Sequence, residues 1–80
     1  MKKELCIKAI YDDFISKIVL TEIEKEVLDL YIKDISIISM ADRLSVGTTT
    51  ISRTISILKD KYNKYKQLEI EKLKILNGVN

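Results

Sequence analysis

Eighty residues suffice for one domain and not two, and a core this small needs a staple or a partner to be comfortably stable. With one cysteine, Cys6, and no histidine, neither a disulfide nor a zinc cage supplies that staple. The net charge of +2, the absence of proline and the presence of only two glycines describe a helical chain with no bias strong enough to name a partner. No cofactor, metal or small-molecule ligand is expected. No signal sequence and no apolar run of about 20 residues is visible, so the expectation is a cytoplasmic protein that does not enter a membrane.

The first predicted helix covers residues 3–19, where Ile7, Ile10, Phe14 and Ile18 recur at the spacing of one helix face. Cys6 beside that stripe is expected to be a buried small hydrophobe. Thr21 followed by Glu24 is a capping box that opens a second helix, ending near Lys33, with Leu20 placed to staple its first turn. Ile23, Val27, Leu30 and Tyr31 form its inward face, with Leu28 at the edge. Ser36 caps a third helix over residues 37–44, carrying Ile37, Met40, Ala41 and Leu44 inward. Ser45, Val46 and Gly47 make the next turn. A fourth helix starts at Thr48 with Ile51, Ile55 and Leu58 on one face. Residues 62–77 either continue it or form a fifth helix.

The fold class expected is all-α, a tri- or tetrahelical helix-turn-helix core with an additional N-terminal helix and a long C-terminal one. One domain spans residues 1–80: an N-terminal helix in 1–19, the core in 20–61 and a dimerisation helix in 62–80. The core assignment rests on residues 37–56. A steep crossing of two helices needs a small residue at the contact, supplied by Ala41. Met40, Leu44, Val46, Ile51 and Ile55 then close the wedge. Ser45 takes the tight-turn position where glycine is commonest.

Charge is distributed unevenly along the chain. Residues 20–44 carry three basic and six acidic side chains, whereas residues 45–67 carry five basic and one acidic. Thr48, Thr49, Thr50, Ser52, Arg53, Ser56 and Lys59 present short hydroxyls and cations with no acid before Asp60. Such a face lies close to DNA, and a free helix N-terminus offers N–H groups to phosphate. The function expected is sequence-specific binding of double-stranded DNA, with helix 47–61 in the major groove.

Leu20-Thr21, Glu24, Glu26-Val27-Leu28 and Leu30 resemble the opening of the LuxR/GerE-type helix-turn-helix. Met40-Ala41-Asp42-Arg43-Leu44-Ser45-Val46 and Thr50-Ile51 resemble its next two helices, an architecture shared with sigma-factor region 4. The resemblance covers residues 20 to about 65. It implies a tetrahelical DNA-binding domain acting on transcription, often dimeric through its last helix. By position it puts base contacts on Ser52, Arg53 and Ser56 and backbone contacts near Thr48, Thr50 and Lys59. The chain departs from the family at the first inter-helix loop, which lacks the usual glycine, and at Gly47, which stands where a capping serine is usual.

The full candidate set is Thr49, Ser52, Arg53 and Ser56 for bases, and Thr48, Thr50, Lys59, Lys61 and Lys64 for phosphates. Arg53 is the principal base reader, because its fork matches guanine O6 and N7; pairing with phosphate or with Asp42 is the competing role. Tyr62, Tyr65, Leu68, Leu73 and Leu76 form the candidate dimer seam, with packing into the protein's own core as the alternative for the two tyrosines. An enzyme is not expected, for want of histidine, a phosphate-binding glycine loop and a cleft-forming length. The alternatives to a transcriptional regulator are a centromere-binding partition adaptor of a plasmid or phage and a helical protein-interaction module.

Overall fold

The computed structural model describes the backbone of residues 1–76 and the side chains of residues 1–68. It is all-α: α1 (Lys2–Leu5), α2 (Lys8–Lys17), α3 (Glu22–Ile32), α4 (Ile37–Leu44) and α5 (Thr48–Leu76), with no strand among the described residues. Thr21 and Glu24 form the full capping box that starts α3, the Thr21 hydroxyl accepting from the Glu24 amide at 3.3 Å while the Thr21 amide donates to Glu24 Oε1 at 2.8 Å. Ser36 caps α4 by accepting from the Ser39 amide. Residues 62–76 continue the fourth predicted helix without a break, so α5 is a single rod of 29 residues.

The N-terminal region departs from the single helix expected over 3–19. Ile7 is extended (φ −83°, ψ 117°) and separates α1 from α2. The cause is a conflict of phase. Leu5 and Phe14 are both fully buried, yet nine residues on one helix would set them about 180° apart. Breaking the helix at Cys6–Ile7 lets α1 lie on α3 while α2 packs against α5. The break also corrects two expectations. Cys6 is exposed rather than buried, and Ile7, expected on the inward stripe, is 55% exposed at the N-cap of α2.

α2, α3 and α4 converge on α5. Phe14 meets Tyr62 and Tyr65 edge-to-face, with ring centroids 5.5 and 5.4 Å away. Burial of Phe14 is worth about 1.5–3 kcal/mol, and each aromatic pair adds about 0.5–1.5 kcal/mol, so this cluster is the principal tie between α2 and α5. Tyr65 also donates to Asp13 at 2.5 Å. Tyr11 donates to Asp29 on α3, and burial together with that carboxylate pushes its hydroxyl up to about 12. In α3, Val27 and Leu28 are the fully buried residues, so Leu28 sits at the centre of the inward face rather than its edge.

Two non-glycine residues close the loops on either side of α4. Asp34 (φ 65°) and Ser45 (φ 55°) are left-handed. Each ends its helix in a Schellman arrangement: the Ile35 amide donates to the Leu30 carbonyl and the Val46 amide to the Ala41 carbonyl. Asp34, which turns the loop between α3 and α4, also pairs with Lys2 of α1. Left-handed backbone costs an L-residue about 1–2 kcal/mol. Ser45→Gly is expected to raise stability by about 0.5–1 kcal/mol after the glycine's extra unfolded-state entropy is offset. Ser45→Val should lower it. The urea midpoint at unchanged m-value reads both, and equal midpoints for all three proteins would refute the strain.

Candidate nucleic-acid interface

The wedge between α4 and α5 is closed by the residues the sequence nominates. Met40, Ala41, Ile51 and Ile55 are buried, and Leu44 and Val46 pack against them partly buried. Among the described residues of α5 the buried positions are Ile51, Thr54, Ile55, Leu58, Tyr62 and Tyr65, a spacing of three and four that marks one continuous face. Helical geometry then turns the other side outward. Thr48, Thr49, Thr50, Ser52, Arg53, Ser56 and Lys59 are all exposed.

Among the described residues nothing covers that exposed side. Among the described residues Arg53 forms no ion pair, with Asp42 or any other acid. The Thr54 hydroxyl is used internally, donating to the Thr50 carbonyl at 2.8 Å. Gly47 precedes the first turn of α5 and has no side chain with which to cap it, and that turn contains no acid. The unpaired N–H groups there keep their partial positive charge. A Cβ added at Gly47 would meet nothing within 4 Å, so packing does not demand glycine at this position. Asp60 is exposed one turn beyond Ser56 and limits the acid-free surface to the first three turns.

The remaining candidates separate. Lys59 and Lys64 are exposed. Lys61, expected to contact phosphate, is instead engaged inside the protein: its ammonium donates to Glu24 Oε1 at 2.6 Å and to the Val19 carbonyl at 3.0 Å. Tyr62 and Tyr65, placed in the dimer seam from the sequence, are buried against Phe14 in the protein's own core, because their positions extend the Ile51–Ile55–Leu58 face. Leu68 is 52% exposed; the side chains of Leu73 and Leu76 lie outside the described residues.

Glu24 is the residue whose role the sequence understated. It is 6% exposed and shared between the α3 cap and Lys61. Burial pushes its carboxyl up, but the Lys61 ammonium and the Thr21 amide together outweigh that and leave it lowered from 4.5. Among the described residues no group of three potential ligands could hold a metal ion, and no helix is long and apolar enough to cross a membrane. The chain matches no known protein family, no curated protein and no solved structure.

Because the folded Glu24 carboxyl is more acidic than its unfolded counterpart, its contribution is complete above about pH 4.5 and disappears as pH falls through the depressed value. Glu24→Gln should cost about 1.5–3 kcal/mol at neutral pH, the scale of a hydrogen bond to a charged group. The gap to the unaltered protein should narrow as the pH drops below 4.5. Urea unfolding at several pH values measures this, and a gap independent of pH would contradict it.

Proposed function

We propose that the chain is a sequence-specific double-stranded DNA-binding protein that regulates transcription, inserting the first three turns of α5 into the major groove. The observation that carries this reading is the open row of Thr49, Ser52, Arg53 and Ser56 on the side of α5 opposite its buried stripe. Arg53, with no acidic partner among the described residues, donates to a guanine, and the short hydroxyls let the helix approach the base edges closely. Thr48, Thr50, Lys59 and Lys64 contact the backbone, with the uncapped N-terminus of α5 beside them. An acid in the first turn of α5 would favour the dipole but repel phosphate, and α5 has none there. The resemblance to LuxR/GerE-type domains over residues 20–65 supports the same reading.

The protein acts in the cytoplasm as a homodimer. Ile57 and Leu68, 45% and 52% exposed, lie three turns apart on one flank of α5 and support pairing of two copies there. Two recognition helices then sit about 34 Å apart and read paired half-sites.

Selection from random duplexes with the full chain tests the proposal. Recovery of a short half-site containing one preferred G is expected. Arg53→Ala should lose that preference, worth about 1–3 kcal/mol. Failure to recover any motif, with no binding at low salt, would refute it.

A further inference from the structure

Beside the open face of α5 lies a cleft of about 630 Å³ between α1 and the middle of α5. Lys2, Lys3 and Glu4 line it from one side, and Lys59, Asn63 and Lys66 from the other. Four lysines thus surround a cleft with one lining carboxylate. Two of the lysines are fixed in place. Lys2 lies 5.8 Å over the Tyr31 ring and pairs with Asp34; Lys66 lies 5.7 Å over the Tyr62 ring, 3.8 Å from Glu4. The other two, Lys3 and Lys59, are exposed and have no acidic partner among the described residues.

We infer that this lysine-lined cleft is a second contact for the DNA phosphate backbone, in which the N-terminal segment and the middle of α5 together grip the strand bordering the groove. The inference rests on the duplex-binding reading above and adds residues to it. Ser52, Ser56, Lys59, Asn63 and Lys66 follow one another at spacings of four and three, so a single row along α5 leads from the base-reading turns into the cleft. Lys59 stands about 4.5 Å along the axis beyond Ser56, and Lys66 about 15 Å beyond it, at 1.5 Å per residue. With the turns up to Ser56 inside a groove about 12 Å wide, Lys59 reaches the bordering strand and α1 approaches it from the other side. Four of the nine residues lining the cleft are lysines, and such cations are what phosphate requires.

Exposed Lys3, which belongs to the cleft alone, allows a test that leaves the fold intact. The full chain and its Lys3→Gln variant are titrated by fluorescence anisotropy, between 50 and 200 mM salt, against the selected duplex and a random-sequence 20-bp duplex. The variant should bind both duplexes more weakly by the same factor and melt at the same temperature. Its plot of log affinity against log salt should be shallower by about 0.9, the contribution of one neutralised phosphate. Its preference for the selected duplex should be unchanged. If the unaltered protein binds and the variant matches it in affinity and slope, the cleft makes no contact, while the reading of α5 stands. A variant that loses only the preference also overturns the inference. If the unaltered protein binds neither duplex at 50 mM salt, the reading of α5 fails and this inference with it.

Discussion

Burial of one face of α5 constrains every other part of the molecule. Ile51, Thr54, Ile55, Leu58, Tyr62 and Tyr65 run down that face, and α2, α3 and α4 each pack against it. Ile51 and Leu58 are fully buried, and each apolar side chain removed from water contributes about 1.5–3 kcal/mol. No other helix offers a comparable length of buried surface. The same geometry fixes what is exposed, because a helix with one side in the core must turn Thr49, Arg53 and Ser56 the other way.

Polar contacts then set how the remaining helices lie on that rod. Glu24 completes the cap of α3 and receives Lys61 of α5, whose ammonium also holds the Val19 carbonyl just before α3 begins. A carboxylate this buried would be costly alone, and with two donors it becomes a staple between two helices. Tyr11–Asp29 and Tyr65–Asp13 do the same for α2. Such ties suit a chain too short for a large core and with no second cysteine.

Features encoded by neighbouring residues were legible in the sequence. The Thr21–Glu24 box, the Ser36 cap and the span of α4 emerge as read, since each depends on residues within one turn. The exposed row on α5 follows from the periodicity of Ile51, Ile55 and Leu58. What was not legible depends on distant contacts. The break at Cys6–Ile7 exists because Leu5 and Phe14 must both be buried, and periodicity alone favours the Ile7–Ile10–Phe14 stripe. Lys61 looks like any solvated lysine until its partner, 37 residues away, is known. Tyr62 and Tyr65 fit a core or a dimer seam equally by spacing, and Phe14 decides for the core. The basic cleft joins residues from both ends of the described chain, so no local motif announces it.

The side of α5 left outside by its buried stripe is the side proposed to meet DNA. Amide chemical shifts followed by NMR during titration with duplex test this most directly, because they locate contact along the whole chain in one experiment. The account predicts perturbations concentrated at residues 47–59, with the acidic surface of α3 unmoved. Perturbations centred on α3 or on the outer side of α2, with residues 47–59 silent, would contradict it.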